Sequence, residues 1–247
     1  MRLSQAWIIA AKDFQTFGKK KNIIYTTFVV PLLVSVGLPL VVRAVERRLA
    51  SGALTAELTT LLPTFAWVFL VLAGITPTTI ASYTIVGEKI ERSLEALLAT
   101  PTTDSEILVG KGLAAFLPAL GAILGGGIIF MALMDAVTRG ALGYDFFPNG
   151  SAALVLFVLV PLAALMSIEW NVIISARVND VRAAQQIGML LMLPFAALYV
   201  AGELRLIGLG VTRNLLIIAG ILLAVDVVFL YLSRATFRRD EILTKWK

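Results

Sequence analysis

The sequence contains no cysteine and no histidine. The first absence excludes a disulfide framework and thiolate chemistry. Together they remove the commonest metal ligands and the usual general base, leaving carboxylates alone for either role. No metal site and no catalytic residue suggests itself. Charge is scarce, at 15% of 247 residues, where about a quarter is usual in soluble domains. Also missing is a loop that wraps nucleotide phosphates with backbone N–H groups. Such a loop needs G-x-x-x-x-G-K-[ST], and Gly18-Lys19 and Gly110-Lys111 lack both the upstream glycine and the following hydroxyl. Any ATP that drives this protein is therefore hydrolysed on another chain. No polar segment is longer than about 20 residues, so no soluble domain is visible. There is no apparent internal repeat and no cleavable signal peptide: residues 1–21 are charged, and the apolar run after them exceeds the roughly 7 to 15 residues of a signal core.

What is present is apolar. Hydrophobic residues make up 59% of the chain and the mean hydropathy is +0.90, values of a membrane protein. Six runs near 22–42, 61–86, 107–134, 151–175, 187–201 and 215–233 match the ~20 residues a helix needs to cross a ~30 Å hydrocarbon core. The expected fold is an all-α membrane protein, one transmembrane domain over 1–247. The fifth run is short, with room to begin earlier, near Ala183. Pro31, Pro39, Pro77, Pro118 and Pro194 are expected kinks. Around Pro77, the hydroxyls of Thr76, Thr78 and Thr79 are placed to re-satisfy backbone groups that a proline frees. Gly125-Gly126-Gly127 reads as a site of close helix approach. Phe65, Trp67, Phe69, Phe195 and Tyr199 fit bundle packing or an interface belt better than a path for an apolar substrate.

Before the first span, Leu3, Trp7, Ala10, Phe14 and Phe17 recur at helical spacing and Lys19-Lys20-Lys21 closes the segment. The pattern predicts an amphipathic helix in the membrane interface, aromatics in the acyl boundary and lysines at the head groups. The net charge of +5 then points to membrane lipids as partners, not nucleic acid.

Between spans 2 and 3 lies a short charged island, Gly87 to Pro101. Ile90, Leu94, Leu97 and Leu98 fall on one helical face, with Glu88, Glu91, Arg92 and Glu95 on others. Thr100-Pro101 ends this helix, and Thr103-Asp104-Ser105-Glu106 has the spacing of a capping box that starts the next. Fifteen of the 21 Lys and Arg residues fall in the two tails, the 87–111 elbow and the 176–186 loop, which places both termini and the elbow in the cytosol. Arg43, Arg47 and Arg48 are discordant.

Lys111, Glu169 and Asp226 lie within spans, where each costs about 2.5 to 3.5 kcal/mol on insertion scales. They lie four, six and seven residues from the cytosolic ends of their spans, a similar depth of roughly 6 to 10 Å. The shared depth predicts that Lys111 pairs with Glu169 or Asp226. An aspartyl-protease reading of the two carboxylates lacks a motif. A proton-coupled secondary transporter using Glu169 and Asp226 is the alternative function, although such a protein would have no use for the elbow.

The run Gly87-Glu88-Lys89-Ile90-Glu91-Arg92-Ser93-Leu94-Glu95-Ala96-Leu97-Leu98-Ala99-Thr100-Pro101, continued by Glu106-Ile107-Leu108-Val109-Gly110-Lys111, resembles the pattern (R/G)EKE-x-G-(S/T)-(L/I)-E-x-L-L-x-(T/A)-P and I-L-x-G-K of ABC-2-type transporter permeases. Ser175 to Gln186 is similar to that family's cytosolic segment before the fifth span. Arg92-Ser93 departs from the pattern where a glycine is frequent. The resemblance implies a permease subunit of an ATP-binding cassette transporter in a prokaryotic cytoplasmic membrane, most such proteins being exporters. It also implies a second permease copy or paralogue, and separate ATPase subunits that bind the ATP and Mg; this chain would carry no cofactor and no enzyme site. The coupling helix implied to dock the ATPase comprises Glu88, Lys89, Ile90, Glu91, Arg92, Leu94, Glu95, Leu97 and Leu98, with a second cytosolic contact at Arg177, Asn179, Asp180 and Arg182.

Overall fold

The computed structural model describes residues 2–46, 61–91, 100, 102–204 and 206–236. Among these residues there is no strand; they form helices joined by short turns. A short first helix, α1 (Leu3–Phe17), precedes six helices long and apolar enough to cross a membrane: α2 (Lys21–Glu46), α3 (Leu61–Ile90), α4 (Asp104–Leu142), α5 (Gly150–Ser175), α6 (Val181–Glu203) and α7 (Thr212–Thr236). The chain is an all-α multi-pass membrane protein. Several helices outrun the hydropathy signal. α3 continues through Glu88 to Ile90, and α6 starts at Val181, where Asp180 accepts a hydrogen bond from the Ala183 N–H. At 39 residues, α4 is about 58 Å long, and its far end stands beyond a single bilayer core.

The middle of the bundle is α3 packed against α5, with α4 alongside, while α2, α6 and α7 keep most of their apolar surface outward. Trp67, Phe69 and Phe195 are buried and pack in this core, as expected for bundle packing. Proline shapes the helices. The missing N–H of Pro77 frees the carbonyl of Ala73, one turn back, and that carbonyl accepts from the Ser167 hydroxyl of α5 at 2.9 Å. The neighbouring threonines leave that carbonyl to Ser167, since Thr78 and Thr79 bond other carbonyls of their own helix, at Gly74 and Thr76. In α2 and α5 the turn before Pro31 and Pro161 widens to π geometry, over Tyr25–Val29 and Val155–Leu159.

Ser167, Asn171 and Ser175 follow one another at four-residue spacing and form a buried polar seam against α3. The Asn171 amide donates to Ser82 Oγ at 2.9 Å and its carbonyl oxygen accepts from Ser175 at 3.1 Å. α6 reaches the seam because Gly188 has no side chain; a Cβ there would lie 2.5 Å from Thr78 Cγ2 and 2.7 Å from Asn171 Nδ2. The glycine triplet behaves similarly at two of its three positions. Gly126 abuts Ser35 and Pro31 of α2, Gly127 abuts Leu156 of α5, and Gly125 faces open space.

α1 docks on α4. Ala6, Ile9, Ala10, Asp13 and Phe17 are buried between helices, whereas Leu3, Trp7 and Ile8 are exposed. The stripe expected to meet lipid is thereby split, with Ala10 and Phe17 turned inward and Leu3 and Trp7 outward. The small residues Ala6 and Ala10 let the two helix backbones approach, which favours this face over the aromatic one for protein contact. Gly110 of α4 completes the fit, since a Cβ there would sit 2.7 Å from the Ala6 carbonyl oxygen and 2.9 Å from Ile9 Cβ.

Candidate functional site

Alternation of direction brings the end of α3, the start of α4, the α5–α6 turn and the end of α7 to one end of the bundle, beside α1. The elbow begins there. Thr103 caps α4 as expected: its hydroxyl accepts from the Glu106 N–H at 3.3 Å, and Glu106 Oε2 accepts from the Thr103 N–H at 2.9 Å. The same carboxylate accepts the backbone N–H of Arg2 at 2.6 Å. One acidic side chain thus ties the entry of α4 to the start of α1.

The main anchor is a buried ion cluster. Lys111 of α4 donates to Glu88 Oε2 and, at 2.6 Å, to the Thr84 carbonyl. Asp13 of α1 lies 3.6 Å from the same ammonium, an ion contact longer than a hydrogen bond. Lys12, half exposed, donates to Glu88 Oε1 at 2.9 Å. Thr84 belongs to a π turn, Tyr83–Gly87, that leads directly into Glu88. Burial pushes the Asp13 carboxyl above its ordinary value, while Lys111 pulls the other way without overcoming it. Burial also opposes the charge on Lys12, but its hydrogen bond to Glu88 and the negative charges of Glu88, Asp13 and Glu91 together outweigh this and hold the ammonium above its ordinary value.

This geometry corrects the expected pairing. Lys111 is partnered by Glu88 and Asp13, and neither Glu169 nor Asp226 is within ion-pair distance of it. Depth along the membrane was the wrong criterion, because it ignores the direction in which a residue projects from its helix. The expected docking set also changes. Glu88 and Lys89 are buried: Glu88 holds Lys111, and Lys89 donates to the Ser175 carbonyl at the end of α5. They continue the inward phase of α3 instead of starting a separate surface helix. Ile90 is 59% exposed, and Glu91 pairs at the surface with Lys20 at 3.0 Å. Arg92, Leu94, Glu95, Leu97, Leu98 and Pro101 lie outside the described residues.

The second expected contact lies close by. Arg177, Asn179, Asp180 and Arg182 are all exposed, on a turn held to α3 by Lys89 and by a small apolar cluster of Val86, Ile174 and Ala184 with Val178 and Val181 packed on it. The exposed start of the elbow and this turn are therefore parts of one surface. Glu169 and Asp226 stand apart, between α5 and α7. Glu169 Oε2 and both oxygens of Asp226 are buried with no hydrogen-bond partner among the described residues.

Asp13 and the seam of Ser167, Asn171 and Ser175 were not singled out from sequence. A signal existed for both. Ala6, Ala10, Asp13 and Phe17 form a second stripe on α1, with small residues at Ala6 and Ala10, and three polar residues four apart in an apolar span mark one face.

A family model described as ABC-2 family transporter protein matches residues 7–207. No curated protein matches the chain.

Proposed function

This chain belongs to the ABC-2 transporter family, and from that premise we propose that it is the membrane-spanning permease subunit of an ATP-driven exporter. The permease works as a pair, with a second copy or a paralogue. Permeases of this family normally pair with an ABC ATPase. Here the ATPase sits on a separate chain, binds ATP and Mg, and docks on the surface formed by the 87–101 elbow and the Arg177–Arg182 turn. Both termini face that cytosolic side of a prokaryotic inner membrane.

The observation that carries this reading is the way the elbow is anchored. Its exposed start, Ile90 and Glu91, is continuous with buried Glu88 and Lys89, which hold α4, α1 and α5 at once. A push on the elbow is thereby delivered to four helices and not absorbed in a loop. Ile90, Leu94, Leu97 and Leu98 offer an aliphatic face worth at most about 1.5 to 3 kcal/mol for each side chain fully buried, before association costs. That suffices for docking when the second turn adds its contacts.

The test is to look in the neighbouring reading frames for a soluble ATPase with Walker motifs and to co-express it with this chain. We expect the two to purify together and to hydrolyse ATP, whereas folded wild-type permease recovered from that co-expression free of the ATPase contradicts the proposal. A second reading, proton-coupled transport through Glu169 and Asp226, draws support from their unpaired buried oxygens. Collapsing the proton gradient at constant ATP separates the two, since export continues only under the first.

A further inference from the structure

A cleft of about 230 Å³ lies between α4, α5 and α7. Its walls are apolar, among them Leu108, Val109, Leu113, Leu165 and Leu230, and Glu169 is its acidic group, with buried Ser233 and exposed Arg234 also lining it. Leu165 and Leu230 are 39% and 41% exposed, so the cleft opens on the outer face of the bundle, where lipid lies.

One group in this cleft calls for a ligand and a second lies outside its lining. Glu169 Oε2 is buried without a partner, and Asp226 of α7, 7% exposed and not part of the wall, leaves both oxygens unpaired. Asp226 and Arg234 both act electrostatically on Glu169, yet no described cation forms an ion pair with either carboxylate. Unpaired carboxylates in an apolar setting are costly. A small hard cation does not suit the place, since it takes about six or more oxygen ligands and the walls supply hydrocarbon. No group of side chains among the described residues is arranged for a metal ion. What matches both halves of the site is a positive charge on an apolar body.

The geometry points to a binding site for a lipophilic organic cation in this cleft. Glu169 holds the charge, Asp226 reinforces the negative field at Glu169, and the leucine-lined walls take the apolar body. Arg234, exposed on the cleft's wall, repels a second cation and competes for Glu169 when the site is empty. The inference extends the permease reading by naming a ligand class, and it is tested on the permease alone. Its failure leaves ATPase docking untouched, and loss of docking leaves it untouched.

The experiment is equilibrium binding of tetraphenylphosphonium to the full chain in phosphatidylcholine nanodiscs, with tetraphenylborate as the anion of the same shape. Trp170, stacked on Phe229 at 5.6 Å and adjacent to Glu169 in sequence, gives a fluorescence readout. We expect saturable binding of the cation and not of the borate, weakened about tenfold or more in Glu169→Gln, a change of about 1.4 kcal/mol. Gly112→Leu fills the cleft without touching charge, because a Cβ at Gly112 meets only Ile168, at 4.0 Å. It weakens binding by a similar factor, and it carries the test should Glu169→Gln fail to fold. Equal binding of the borate, absence of saturation, or unchanged affinity in a folded Gly112→Leu or Glu169→Gln variant overturns the site and leaves the carboxylates as protonated, empty groups.

Discussion

Lys111→Met is expected to remove about 3 kcal/mol or more of stability, read as the shift of an equilibrium unfolding curve in mixed micelles. Removing one member of a buried ion pair typically costs about 3 to 5 kcal/mol, because the partner is left charged and unpaired. Lys111 serves Glu88, Asp13 and the Thr84 carbonyl together. Its loss therefore leaves three acceptors short. The cost stays toward the lower end because Glu88 keeps Lys12 and Asp13 is already pushed toward its neutral form by burial. Two further variants fix the mechanism. Asp13→Asn is mild, since the neutral amide resembles the form that burial already favours. Lys111→Met combined with Glu88→Gln costs less than the sum of the single changes, with a coupling of about 1 kcal/mol or more. Strict additivity would show that the cluster does not act as a unit.

Gly110→Val is expected to release α1 from the bundle. Its Cβ would collide with the Ala6 carbonyl oxygen at 2.7 Å and with Ile9 Cβ at 2.9 Å. One contact is backbone, so no rotamer change relieves it, and α1 must move away as a body. Overpacking of this kind costs about 1 to 3 kcal/mol. Moving α1 also withdraws Asp13 and Lys12 from the ion cluster, which adds to the loss. Hydrogen exchange separates this from general unfolding: amides of α1 lose protection while those of α3 and α5 keep it. Gly121→Val on the same helix is the control, because a Cβ there meets nothing within 4 Å, and it should be close to neutral. Full protection of α1 in Gly110→Val would show that the α1–α4 contact is looser than its geometry implies.

The spans and the α4 cap were legible in the sequence, because hydropathy over a membrane thickness and the Thr103–Glu106 box are local signals. Partner choice was not. The depth of Lys111 along its helix was readable, but the direction of its side chain was not, and that direction faces α1 and α3. Asp13 is hard to find because α1 carries two overlapping stripes, and the aromatic one suggests lipid where the small-residue one meets α4. Glu88 reads as part of the elbow's surface because Gly87 looks like a boundary. The helix runs through it, so Glu88 keeps the inward phase of α3. The acceptor freed by Pro77 was likewise assigned to neighbours in sequence, whereas Ser167, 90 residues later in the chain, supplies the donor. Each miss is a tertiary contact between segments whose local patterns admit more than one partner.

In the proposed coupling, the elbow's aliphatic face is the seat of a separate ATPase. The direct measurement compares the amount of ATPase recovered with the wild-type chain and with a Leu94→Ser, Leu97→Ser, Leu98→Ser triple variant, both extracted as monodisperse, folded protein. The ATPase is expected to purify with the wild type and to be lost from the variant. Recovery of the ATPase in equal proportion with both chains would contradict that seat.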